Sequence, residues 1–132
     1  MKLYIILALV FANCHFVNAQ KPPASPTKIF PAQIWKDNRN LPINAHGGGV
    51  MYYNGIYFWY GTHKIEGLSE KTFADGGIHC YASTDLVAWS DMGLVLPLVY
   101  NNNNHDLAYE CNFDRPKVVY NAKTKKFVAF FK

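Results

Sequence analysis

Two short clusters carry the side chains best able to do chemistry. His46 stands directly before Gly47, Gly48 and Gly49, and Asp114 stands directly before Arg115. An imidazole, a carboxylate and a guanidinium offer donors and acceptors that can hold a polar ligand. A strand that opens without side chains lets a ligand, or a neighbouring strand, come close to its backbone. Plain structural roles compete with these: His46 as a core histidine with its hydrogen bonds met, and Asp114–Arg115 as a simple ion pair. Further acids, Glu66, Glu70 and Asp75, sit in a polar loop from His63 to Gly77, long enough to be functional or mobile. Glu110 reads as a solvated loop charge, Asp85 as a turn cap beside a packed Trp89, and Lys123, Lys125 and Lys126 as a solvated turn. His46, His63, His79 and His105 share no ligand spacing with one another or with the cysteines, so neither a metal site nor a cofactor is expected.

The elements that position these residues read as strands. After the glycines comes Val50-Met51-Tyr52-Tyr53, then Asn54-Gly55, then the aromatic run Ile56 to Tyr60. Asn-Gly between β-branched and aromatic residues is the signature of a type I′ hairpin. A second hairpin follows, from Ile78-His79-Cys80-Tyr81-Ala82-Ser83 across the Thr84–Trp89 turn to Met92–Leu96. Strands are thus expected at 47–53, 56–62, 78–83 and 91–96, all antiparallel neighbours. Arg115 to Phe131 then repeats the pattern of strand, polar turn and aromatic strand. A four-stranded meander followed by its own repeat is how a β-propeller is written in sequence, and propellers close with four to eight such blades. The chain is expected to be an N-terminal fragment of a longer all-β protein, with the first blade and about half of the second.

Residues 1–19 hold Lys2, an apolar run from Leu3 to Val10, and small residues at Val17-Asn18-Ala19. They read as a secretory signal peptide cleaved after Ala19, which gives a secreted or periplasmic protein. The apolar run is too short for a membrane span. Lipoprotein processing at Cys14 is the alternative, poorly served by Asn13 in front of the cysteine. Residues 20–42 form a lead-in arm with Pro22, Pro23, Pro26 and Pro31, and Trp35 is its one large apolar anchor. Trp35 either tucks against the domain or offers a platform to a sugar ring. Losing Lys2 lowers the formal charge from +4 to +3, too modest an excess for a nucleic-acid partner. Cys80 and Cys111 remain in the mature chain, and the sequence leaves their pairing open.

Four motifs in order resemble glycoside hydrolase family 43, and within it the branch of exo-β-1,3-galactanases and related β-galactosidases. They are Ile43-Asn44-Ala45-His46-Gly47-Gly48-Gly49, the strand ending Trp59-Tyr60-Gly61, the turn Ser83 to Trp89, and Arg115-Pro116-Lys117-Val118-Val119-Tyr120-Asn121. The likeness runs over roughly residues 34 to 131. It implies a five-bladed β-propeller, residues 43–132 being its N-terminal part, that hydrolyses a β-galactoside such as β-1,3-galactan with inversion. The substrate partner would be an oligo- or polysaccharide.

The resemblance also implies that the general acid and the carboxylate that tunes it lie in the third and fourth blades, beyond Lys132. No catalytic residue is therefore assigned in this chain, and alone it is expected to be inactive. Many family members carry an aspartate base on the first strand, yet this chain has no carboxylate between Arg39 and His63. The galactanase branch resembles it in that respect. In that branch a glutamate precedes Arg-Pro-Lys and another follows the Trp-Tyr-Gly strand; here Asp114 and Thr62 stand in those places. The first strands of adjacent blades lie nearest the propeller axis, so the substrate-binding set implied is His46, Gly47, Asp114 and Arg115. A non-catalytic carbohydrate-binding propeller shares every feature of this stretch, whereas a structural or protein-binding one predicts no polar cluster at the axis.

Overall fold

The computed structural model describes residues 27–65, 76–108 and 111–132. The proposed signal peptide, the acidic part of the 63–77 loop and Glu110 lie outside these residues. Among the described residues the chain is all β: β1 (His46–Tyr53), β2 (Ile56–Thr62), β3 (Gly77–Ser83), β4 (Ser90–Pro97), β5 (Lys117–Asn121) and β6 (Lys126–Phe130). The first four form one antiparallel sheet in the order β1-β2-β3-β4, and β5 pairs with β6 in a separate hairpin. Each bound falls within a residue or two of its sequence expectation, because the turn chemistry fixes the ends. Asn54 and Gly55 have φ of 49° and 83°, the two positive values a type I′ turn needs. Asp85 accepts from the backbone N–H groups of Val87 and Ala88, both at 2.8 Å, and caps the β3–β4 turn as expected.

β3 is buried along nearly its whole length, at every residue but Ala82, because both faces of the sheet are covered at this strand. On one face Tyr57, Trp59 and Tyr81 pack with Ile43, Ala45 and Trp89. The arm lies here, and Trp35 meets Trp59 edge to face at 5.7 Å while Trp59 meets Trp89 at 5.3 Å. Trp35 thus docks by its edge against Trp59 while staying 37% exposed. On the other face Tyr60, Ile78 and Leu96 pack with Leu98, Leu107, Phe113 and Phe131 from the connection and the second hairpin. Tyr53 adds ring contacts to Tyr120 at 4.5 Å and Phe127 at 5.1 Å. The two cysteines are free. Burial raises the Cys80 thiol to about 11 and the Tyr60 phenol beside it to about 12, so both stay protonated at neutral pH.

The glycines at the sheet's tight end serve backbone packing. Between His46 and Gly49 strand β1 carries one residue more than β2 does between Thr62 and Tyr60, a bulge with Gly47 at φ 58°. A Cβ on Gly48 would overlap the Tyr60 carbonyl, and one on Gly61 would overlap the Ala45 backbone. Gly61→Ala is expected to destabilise the fold by about 2 kcal/mol or more, since backbone must move to admit the methyl group. Gly55→Ala, with open space around it, should cost about 1 kcal/mol through its left-handed φ alone. Chemical denaturation of the two variants checks the order; equal losses would contradict the packing role of Gly61.

Candidate functional site

The starts of β1 and β5 lie side by side. A Cβ on Gly47 would sit 3.6 Å from both Cα and Cγ of Arg115, so the two strand starts adjoin there with room for little more than a methyl group between them. His46 adjoins Gly47, is exposed, and pairs across the ladder with Thr62. Asp114 adjoins Arg115 and is anchored by its backbone, which exchanges N–H···O bonds of 3.1 Å with Lys132. Their side chains remain outward, 51% exposed for Asp114 and 82% for Arg115, with Nε 3.8 Å from Oδ2. So exposed and long a pair contributes little to stability, which leaves both groups available to a ligand. The competing role of a core histidine is not what the fold gives His46, which is exposed.

Arg115 holds φ at 51°, an uncommon conformation for a residue with a side chain and costly by roughly 1–3 kcal/mol. Its neighbours fix it there. Phe113 is fully buried on one side and Pro116 on the other. Thr62 Oγ1 donates to the Phe113 carbonyl at 2.6 Å. Thr62 is itself buried, so at this position the chain has a structural tie and no ligand-facing acid. Lys117 completes the junction: its Nζ donates to the Gly47 carbonyl at 3.2 Å and the Gly48 carbonyl at 2.7 Å. Neither the Thr62 tie nor the Lys117 crossing carries a sequence signal, because each joins residues more than fifty positions apart.

A second polar cluster fastens the base of the β2–β3 connection at the same end of the sheet. Asn44 donates to the Lys64 carbonyl at 2.7 Å and accepts from the Lys64 N–H at 2.8 Å. His63 and His79 face each other through Nδ1 at 2.9 Å, and His79 Nε2 lies 2.9 Å from Asp91 Oδ1. Asp91 accepts only, so His79 carries its proton on Nε2 and its Nδ1 accepts from His63 Nδ1–H. Asp91 also receives Arg39, which in turn meets the buried Asp37 at 3.3 Å. No trio of His, Cys, Asp or Glu among the described residues is arranged to hold a metal ion. Scattered spacing hid this cluster from the sequence.

Comparison with known proteins follows the same geometry. No protein-family model matches the chain, and no curated protein matches it. Solved structures do. A β-1,3-galactosidase of glycoside hydrolase family 43, solved with galactodeoxynojirimycin, is 40% identical with a TM-score of 0.64, over 80% of this chain and 28% of its own. An exo-β-1,3-galactanase from Clostridium thermocellum is 37% identical with a TM-score of 0.60, over 76% of this chain and 20% of its own. One from Phanerochaete chrysosporium, with β-1,3-galactotriose, is 27% identical with a TM-score of 0.64, over 81% and 22%. The all-β fold is shared with these glycoside hydrolases. The chain belongs to glycoside hydrolase family 43, and it spans between a fifth and a third of the length of these neighbours.

Burial, the neighbouring His63 and Arg39 lower the His79 pKa from 6.5 to about 4, outweighing the Asp37 carboxylate. The unfolded chain therefore takes up this proton at higher pH than the folded one. The stabilisation is whole above pH 6.5 and is lost as pH falls toward 4. Asp85, whose pKa is lowered from 3.8 by the Ala88, Val87 and Ser83 bonds, titrates below that window. Thermal midpoints should fall by several degrees between pH 6.5 and 4 and fall less in His79→Asn. Parallel curves for the two proteins would contradict the assignment.

Proposed function

We propose that the chain is the N-terminal part of an exported β-1,3-galactoside hydrolase that works with inversion. In this reading residues 1–19 are removed on export, 20–42 form the arm, and 43–132 supply the first blade and about half of the second in a five-bladed propeller. What carries it is one observation: the strand starts that hold His46, Gly47, Asp114 and Arg115 adjoin, in a chain 40% identical to a β-1,3-galactosidase.

The chemistry follows from what these groups can do. His46 and Asp114 meet the hydroxyls of a terminal galactose, and Arg115 orients the Asp114 carboxylate. A bound sugar ring uses the open backbone above Gly47. Proton donation to the leaving oxygen, and the carboxylate that tunes the donor, come from parts of the enzyme outside this chain. Asp114 is one methylene shorter than the glutamate its branch resemblance suggests, so its contact with the sugar is made by a ring seated slightly deeper toward β5. Thr62, being buried, leaves the substrate to the other groups.

A hydrogen bond to a charged group contributes roughly 1.5–3 kcal/mol. Asp114→Ala in the complete enzyme should therefore lower kcat/KM on β-1,3-galactobiose by about ten- to a hundredfold, with the thermal midpoint kept. A value within about twofold of wild type would make Asp114 structural and misplace the site. A wild-type protein that binds galactobiose without cleaving it would instead be a carbohydrate-binding propeller.

A further inference from the structure

Lys117 opens β5, yet its side chain belongs to the neighbouring sheet. Its stem runs across Gly49, where a Cβ would lie 2.9 Å from Lys117 Cδ, so the missing side chain is what gives the lysine its path. Its ammonium then reaches two successive carbonyls, Gly47 at 3.2 Å and Gly48 at 2.7 Å. Both lie in the β1 bulge, where the extra residue interrupts the ladder to β2. A charged donor meets neutral acceptors here, the stronger kind of hydrogen bond. The bulge, the glycine path and the lysine make one device that joins the first strands of two sheets.

We propose that Lys117 is a positioning residue for the sugar site: by holding the Gly47 and Gly48 carbonyls it fixes where His46 and Gly47 stand relative to Asp114 and Arg115. The inference rests on the galactoside reading above. It assigns Lys117 no contact with the sugar. The two sheets have an apolar attachment of their own, through Tyr53 with Tyr120 and Phe127 and through Phe113 within its cluster. Lys117 is exposed, so its loss leaves that attachment in place while freeing the bulge. Substrate binding, more than folding, is what the tie controls.

The test uses the complete enzyme, with Lys117→Met and Lys117→Arg beside wild type. Lys117→Met should raise KM for β-1,3-galactobiose about tenfold with kcat within about twofold. Amide exchange at Gly48 and Gly49 should quicken about tenfold while β2 and β3 stay protected. The thermal midpoint should move by only a few degrees, and Lys117→Arg, which restores a cationic donor, should recover most of the KM. An unchanged KM or unchanged exchange in Lys117→Met overturns the proposal, as does a loss of kcat and KM that tracks a large fall in the midpoint. A wild-type enzyme silent on galactosides removes the functional reading and the sugar role of Lys117 together; an active one with an indifferent Lys117→Met removes the role of Lys117 alone.

Discussion

The close approach of backbone at the start of β1 is the constraint on which the rest of the arrangement depends. Gly48 lies against the Tyr60 carbonyl, Gly61 against Ala45, and Gly49 beneath the Lys117 stem. Side chains at Gly48 and Gly61 would force β1 away from β2, and one at Gly49 would displace the Lys117 stem. Without them the bulge forms, Gly47 turns to φ 58°, and the backbone of Arg115 comes into contact. The polar groups of two sheets then meet at one end, held by a buried hydroxyl from Thr62 and an exposed ammonium from Lys117.

Rigidity at that end comes from both faces of the sheet. The arm adds Trp35 to Trp59 of β2 and Trp89 of the β3–β4 turn on one face, where aromatic pairs contribute roughly 0.5–1.5 kcal/mol each beyond their burial. Phe113 and its cluster cover the other. Below them the Arg39, Asp91, His79 and His63 chain ties the arm to β4, to β3 and to the base of the β2–β3 connection. Burial of His79, with His63 and Arg39 beside it, is why a second proton on its ring is costly.

Local chemistry made much of the fold legible in advance. Asn54-Gly55, Asp85 and the Arg115-Pro116-Lys117 strand each declare themselves within a few residues, so the strand order and the near-repeat could be read directly. The role of the glycines was only half legible. Their spacing announces close approach, while the approaching groups, Tyr60, Ala45 and Lys117, are known only once the chain has folded. The burial of Thr62, the exposure of His46 and the histidine pair were hidden for the same reason. Each depends on residues sixteen or more positions apart, or on which face a neighbouring element covers, and neither leaves a periodic trace.

The central claim is that the β1 and β5 starts line one galactoside site. A crystal structure of the complete protein with galactodeoxynojirimycin tests it most directly. The account predicts the sugar ring over Gly47, with Asp114 and His46 within hydrogen-bond distance of its hydroxyls and the Lys117 ammonium still on the Gly47 and Gly48 carbonyls. A ring bound elsewhere, with Asp114 and His46 in open solvent, would contradict it.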